Sequence, residues 1–225
     1  MLTENKLSKY LFYAIGEIVL VVIGILIALS INNWNEKKKN ISTKVESLKL
    51  IQENLKQEET RLNYVISRKE ITTQQLQELL SGNINVVKIE NLYNLLTQSH
   101  SHLITNAGYK TISQNNYINL IDNSELINEL IFFYESHYEF LNKVGIYDTN
   151  YAQNYMEPFL LKNIPSEKGR FDENEILAKN IEDMNFRNLL LKKIELDEWY
   201  ISVIKNQTIQ HIRKLENLIQ QELYN

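Results

Sequence analysis

The chain has 225 residues, with 24 Lys and Arg against 28 Asp and Glu, and it contains 6 Gly, 2 Pro and no Cys. A chain without cysteine has no disulfide framework, thiolate metal site or cysteine nucleophile, and so few turn-forming residues argue against an all-β sandwich. Residues 1–39 hold five Lys and three Glu, so the remainder carries a net charge of −6. Because an acidic body repels phosphate backbones, we expect no nucleic-acid partner.

Residues 11–31 form an apolar run, LFYAIGEIVLVVIGILIALSI, with a single charge. As a helix this run is ~32 Å long, which matches a hydrocarbon core of about 30 Å. Aromatic residues lie near both of its ends and three lysines follow it, as is typical of membrane-spanning helices. The pattern predicts a short tail over 1–10, a transmembrane helix over 11–34 and the lipid bilayer as a partner. A cleaved signal peptide is the alternative, since residues 28–30 resemble a cleavage site.

One face of the predicted transmembrane helix carries Glu17, Gly24 and Ala28. At 100° per residue, Gly24 and Ala28 point within about 20° of Glu17. Small residues four positions apart let two helices approach closely, and a carboxylate in a bilayer is costly enough to favour a polar partner. This face therefore predicts a transmembrane interface with a second copy or with a polytopic membrane partner. A tolerated glutamate beside chance small residues is the alternative.

Residues 13–36, YAIGEIVLVVIGILIALSINNWNE, resemble the signature of a family of uncharacterised bacterial membrane proteins, a domain of unknown function common in flavobacteria and their relatives. The match is close over residues 5–36. A weaker likeness covers residues 111–137, which are similar to the family's short helix, turn and long helix. The resemblance implies a single-pass protein of the bacterial inner membrane, and it implies no activity, catalytic residue or ligand.

The body, residues 35–225, has the apolar periodicity of long helices. The first long helix is predicted to continue from the membrane segment to about residue 82, where Gly82-Asn83 is a helix stop. Apolar residues on it repeat at sevens, at Ile41, Leu48, Leu55 and Leu62. The last long helix is predicted over residues 186–224, with a similar repeat at Ile194, Ile201, Thr208 and Leu215.

Shorter helices are predicted between these two. One runs from Val86 to about His102, and another begins with a cap among residues 122–124, is broken at Gly145 and resumes to Leu161. Asp172 predicts a further cap. The fold class is therefore all-α, with one N-terminal transmembrane helix continuing into a membrane-tethered antiparallel helical bundle.

The sequence contains no motif that indicates catalysis, a cofactor or a metal. It lacks a glycine-rich phosphate loop and the paired E-x-x-H motifs of di-iron bundles, so we expect no enzyme. His100 and His102 point about 200° apart on a helix, and we predict that they are polar residues at a helix end. His137 and His211 stand alone in the sequence, and each is predicted to be a packed or surface histidine. Residues 195–198 include three acidic residues, which we predict to form a solvated helix face.

Tyr147, Tyr151 and Tyr155 recur every four residues and form one stripe. We expect them to pack in the bundle core with their hydroxyl groups at its rim, and the alternative is a ligand pocket or partner surface. The function predicted from these features is a membrane-anchored, non-enzymatic scaffold or accessory protein acting through helix–helix contacts. The alternative is a sensory or ligand-binding helical domain that signals through a partner.

Two features of the sequence favour opposite orientations in the membrane. Four lysines after the span against two before it favour a cytoplasmic body by the positive-inside rule. The resembling family, whose members often begin with an extra basic stretch, implies the opposite. We predict a body on the periplasmic side.

Overall fold

A computed structural model describes residues 4–98, 105–114, 117–165 and 172–224. All the regular secondary structure in these ranges is helical, and no strand occurs among them. The first helix, α1, runs unbroken from Glu4 to Leu80. It ends where Gly82 adopts φ +98°, a conformation that residues with a side chain rarely take. This stop lies at the predicted position.

Two short helices follow α1. Helix α2 spans Ile89–Thr97, so it ends earlier than predicted, and the predicted end at His102 lies outside the described residues, as does His100. Helix α3 spans Ala107–Gln114 and packs against α1. Short 3₁₀ turns at Ile84–Val86 and Tyr117–Leu120 complete this part of the chain.

A long middle helix occupies residues 124–163. Its α-helical segments are Ser124–Ile131, Tyr138–Tyr151 and Glu157–Asn163, joined by π-helical segments at Phe132–His137 and Ala152–Met156. The side chain of Asn123 caps it by accepting hydrogen bonds from the backbone N–H groups of Glu125 and Leu126, as predicted. The predicted break at Gly145 is wrong: this buried glycine lies inside a helical segment whose Leu141 and Val144 share an apolar cluster with residues of α1 and of the C-terminal helix.

The chain ends in another interrupted helix. A short helix over Glu173–Glu182 is capped by Asp172, as predicted. The C-terminal helix then occupies residues 184–224, with α-helical segments Met184–Val203 and Ile209–Tyr224 and a π-helical segment at Ile204–Thr208 between them.

Contacts along the three long helices define their directions. Lys44, Glu59 and Glu70 of α1 pair with Glu222, Arg213 and Lys205, so the C-terminal helix runs antiparallel to α1. The middle helix runs parallel to α1, since Arg61 contacts Tyr138 and Lys69 contacts Asp148. The C-terminal helix is therefore antiparallel to α1, as predicted, but the middle helix is not. The chain returns along α1 before the middle helix begins, and α3 lies on that return path.

The core consists of two apolar clusters at successive levels of the bundle. The first surrounds the part of α1 from Leu48 to Ile66, and the second surrounds Leu76 and Leu79. Three of the four predicted seven-residue repeat positions on α1, at Leu48, Leu55 and Leu62, are fully buried, whereas Ile41 is half exposed. The bundle therefore begins a few residues after Ile41.

Candidate functional site

The first candidate site is the apolar part of α1. Every side chain from Lys9 to Lys39 is exposed, and none of the apolar side chains in this part of α1 packs on the bundle. This helix is long and apolar enough to cross a membrane. Glu17, Gly24 and Ala28 lie on it, and a Cβ added to Gly24 would meet nothing within 4 Å. The face they share is thus open along the described chain.

The three tyrosines of the predicted stripe lie in different environments. Tyr147 and Tyr155 are about 60% exposed, so the prediction that they pack in the core is wrong for both. Tyr151 is half buried, and its hydroxyl group donates to the carbonyl of Leu189 at 2.9 Å. The prediction missed these positions because the buried face of the helix here is formed by the next residues along the chain, Asp148, Ala152 and Met156.

The tyrosines lie on an aromatic surface. The ring of Tyr147 meets the edge of Trp199 at 6.2 Å, and Tyr151 stacks on Tyr155 at 5.6 Å. Grooves of about 770, 560, 510 and 430 Å³ elsewhere on the described chain are lined by other side chains. The rings thus form a surface along the seam of the middle and C-terminal helices.

A layer of four buried charges crosses the bundle interior. Lys69 of α1, Asp148 of the middle helix and Lys193 and Asp197 of the C-terminal helix are each at most 3% exposed. Each lysine contacts both aspartates: Lys69 Nζ lies 2.7 Å from Asp148 Oδ2, and Lys193 Nζ lies 3.0 Å from Asp197 Oδ1. Lys69 also pairs with Asp197, and Lys193 with Asp148. We call these four residues the charged layer.

In the charged layer, two lysines face two aspartates. Burial by itself disfavours the charged forms, but the facing charges outweigh it. Despite burial, Lys193 and Lys69 lower the pKa of Asp148, and Asp197 and Asp148 raise the pKa of Lys193. The ring of Tyr200 covers Lys69 Nζ at 5.0 Å, which adds a cation–π contact. Two lysines and two aspartates are therefore paired in one layer that is almost entirely shielded from solvent.

One pattern in the sequence could have predicted this layer. The buried positions of α1 repeat at sevens, and Lys69 occupies the position between Leu62 and Leu76. A charge in an apolar stripe needs a buried partner. Asp197 was instead predicted to be solvated with its acidic neighbours, and that prediction is wrong, since Asp197 is 1% exposed.

A second buried polar group joins the middle and C-terminal helices. His137 Nε2 lies 3.0 Å from Thr208 Oγ1, and His211 Nε2 lies 2.7 Å from Glu129 Oε2. The two imidazole rings are 5.7 Å apart. Both histidines are packed, which is one of the two predicted settings. Burial lowers the pKa of both. Within the described residues, no three or more His, Asp or Glu side chains are grouped so that they could hold a metal ion.

A polar clasp closes the end of the bundle from which the exposed part of α1 emerges. Glu222 accepts hydrogen bonds from Lys44 Nζ and from the backbone N–H groups of Asp122 and Asn123. Asp122 also pairs with Lys44 at 3.2 Å. The groove of about 770 Å³ lies beside this clasp. The clasp holds the start of the middle helix and the end of the C-terminal helix against α1.

These features define the class of protein: an all-helical protein with one long N-terminal helix whose apolar part is free of the bundle. The chain belongs to a family of unknown function, DUF6090, whose sequence profile matches residues 17–197. The match includes most of the apolar segment, the middle helix and the charged layer. Comparison with curated proteins and with solved structures found no match.

Proposed function

We propose that the protein is a membrane-anchored, non-enzymatic scaffold or accessory protein that acts through helix–helix contacts within the bilayer. The observation that carries this proposal is the exposed apolar segment of α1. Residues 11–31 have no protein surface to cover them along the described chain, and exposed apolar patches of this size mark membrane or protein interfaces. The lipid bilayer is the partner that matches the length of the segment.

The free energy of insertion supports a membrane span despite Glu17. The segment contains fourteen Leu, Ile, Val and Phe residues, which contribute about −4 to −8 kcal/mol together on insertion scales. Glu17 costs about 3 kcal/mol at the bilayer centre, and less near the first third of the span, where it lies. The apolar residues therefore outweigh the charge.

The continuity of α1 supports a role in assembly. A single helix contains the apolar segment and the first element of the bundle, with no hinge between them. Contacts made by Glu17, Gly24 or Ala28 would therefore set the position of the whole bundle. The partner proposed for this face is a second copy of the chain or a polytopic membrane protein.

Co-purification from detergent-solubilised membranes tests this role. Gly24→Leu and Glu17→Leu are expected to remove the partners, or the self-association, that the unaltered chain shows. The first substitution blocks the close approach of a second helix, and the second removes the polar group from the shared face. Val22→Leu, on the opposite face of the helix, is the matched control and is expected to keep the partners. The proposal fails if both variants retain the same partners as the control.

We place the protein in the bacterial inner membrane as a single-pass protein with its body in the periplasm. The resemblance at residues 13–36 supports this placement. The lysines that follow the span favour the opposite orientation, so thiol labelling from the two sides of the membrane distinguishes the two orientations.

A further inference from the structure

The charged layer lies between the two apolar clusters of the bundle. On α1, the first cluster ends at Ile66 and the second begins at Leu76, with Lys69 between them. On the C-terminal helix, the second cluster ends at Ile194 and the first begins at Tyr200, with Asp197 between them. Charged side chains therefore separate two apolar levels that would otherwise form one continuous core.

The charged layer also lies next to π-helical segments. Asp148 belongs to the α-helical segment between the π-helical segments Phe132–His137 and Ala152–Met156. Lys193 and Asp197 belong to the segment that precedes Ile204–Thr208. Helix α1, which supplies Lys69, has no such segment over its described length.

A π-helical segment contains one residue more than the α-helical turn it replaces. The extra residue can move along the helix by shifting hydrogen bonds, without moving the helix ends. Each side chain that the extra residue passes moves to the position of its neighbour, and so turns by about 100° around the helix axis. Apolar side chains on a wide stripe resist such a turn weakly, since a neighbouring apolar residue can replace the one displaced.

We propose that the charged layer fixes the rotational position of the middle and C-terminal helices between their π-helical segments, so that the bundle has one packing instead of several. A shift of the π-helical segment at 152–156 towards the layer would move Asp148 to the exposed position of Tyr147 and place Thr149 inside. A similar shift on the C-terminal helix would move Lys193 to the exposed position of Lys192 and Asp197 to the half-buried position of Leu196.

Either shift would unbalance the charges of the layer. The first would leave Asp197 as the one aspartate facing two buried lysines. The second would put Ile194 in the position of Lys193 and Glu198 in that of Asp197, so that Lys69 would face two carboxylates. Lys69 is 3% exposed and Lys193 is 1% exposed, and both rely on the two aspartates for their ion pairs. An uncompensated buried charge is strongly unfavourable. The charged layer thus penalises both shifts, whereas an apolar layer would not.

The experiment replaces the whole layer and measures thiol protection in the full-length chain in detergent. The variant combines Lys69→Met, Asp148→Leu, Lys193→Met and Asp197→Leu. Because the chain contains no cysteine, a single reporter can be added to it. Val203→Cys is the reporter, because Val203 is 2% exposed and directly precedes the π-helical segment Ile204–Thr208. Ile212→Cys is the control reporter, because Ile212 is fully buried beyond that segment.

We expect maleimide to label Val203→Cys at least about tenfold faster in the apolar variant than in the chain with its charged layer, because rotation takes position 203 to the exposed position of Ser202. Ile212→Cys is expected to stay protected in both. Unchanged protection of Val203→Cys would overturn the proposal, because apolar packing alone would then set the rotation. Labelling of both reporters would also overturn it, because the charges would then be needed for folding as a whole.

Discussion

At the scale of single residues, Asp148 has the largest predicted effect on stability. Its carboxylate contacts two buried ammonium groups, from Lys69 and Lys193. A complete buried network is close to neutral in free energy, since desolvation offsets the attraction. Removal of one member is different, because it leaves a charge without a partner.

Asp148→Asn is therefore expected to lower the free energy of unfolding by about 3–5 kcal/mol. Urea unfolding of the full chain in detergent, followed by circular dichroism, measures the change. Glu139→Gln is the control, since Glu139 pairs with Lys143 on the exposed surface, and it is expected to cause no measurable change. Equal effects of the two variants would show that solvent screens the ion pairs of the charged layer as it screens the surface pair.

The buried histidines predict a dependence of stability on pH. Burial lowers the pKa of His137 and His211 from the ordinary value of 6.5, although Glu129 beside His211 opposes the shift and Lys214 adds to it. At a pH just below 6.5 the unfolded chain therefore binds more protons than the folded chain. Stability is then full above pH 6.5 and falls as the pH decreases through that value.

Urea unfolding at pH 7.5 and pH 5.5 measures this effect. The chain is expected to be less stable at pH 5.5, and a variant with His137→Asn and His211→Gln is expected to lose most of the difference. Carboxylates such as Asp148 and Glu129, whose pKa values are lowered, contribute to acid unfolding only at lower pH. An unchanged pH dependence in the double variant would assign the effect to other groups.

At the scale of elements, the position of α3 depends on Gly108. Its backbone N–H donates to the buried Asn54 Oδ1 at 3.2 Å, so α3 lies directly on the backbone of α1. A Cβ at this position would lie 2.7 Å from the backbone nitrogen of Ile51. Backbone atoms of a long helix cannot move aside as the end of a flexible side chain can.

Gly108→Ala is expected to destabilise the protein by about 1–3 kcal/mol through overpacking. Gly24→Ala is the control, since nothing lies within 4 Å of the added carbon there, and it is expected to have no effect on the bundle. Hydrogen exchange provides a second readout, with faster exchange expected in Ala107–Gln114. Equal exchange in both variants would mean that α3 tolerates the added carbon.

At the scale of the whole molecule, α1 sets the geometry. It lies parallel to the middle helix and antiparallel to the C-terminal helix, and its exposed part leaves the bundle beside the clasp of Lys44 and Glu222. The other end of the bundle, near Leu80, is the more distant from the apolar segment. If α1 spans a membrane, that distant end lies about 70 Å beyond the span, at 1.5 Å per residue from Asn33 to Leu80.

Thiol labelling of intact cells measures the orientation of this long axis. Lys162→Cys places a thiol on an exposed position at the end of the middle helix, and Thr3→Cys places one before the span. With the outer membrane permeabilised and the inner membrane intact, an impermeant maleimide is expected to label Lys162→Cys alone. Both are expected to react in lysed cells. Labelling of Thr3→Cys alone would put the body in the cytoplasm and redirect the search for partners there.

Much of the helical architecture could be predicted from the sequence, because it depends on local chemistry. The stop at Gly82, the caps at Asn123 and Asp172 and the C-terminal helix were predicted close to where they lie. The break predicted at Gly145 does not occur, because packing on both sides of a helix overrides the low helix propensity of one glycine. The exposure of Tyr147 was missed for a similar reason, since spacing alone does not tell which face of a helix is buried.

Local sequence patterns specify that the chain is helical, where its long helices end and that one segment has the length and polarity of a membrane span. These properties follow from the periodicity and composition of neighbouring residues. Which charges are buried, which helices run parallel and where π-helical segments lie depends instead on the tertiary structure. Lys69 meets Asp148 and Asp197 across 79 and 128 residues of chain, and contacts at such separations depend on the packing of whole helices, which local sequence patterns do not specify.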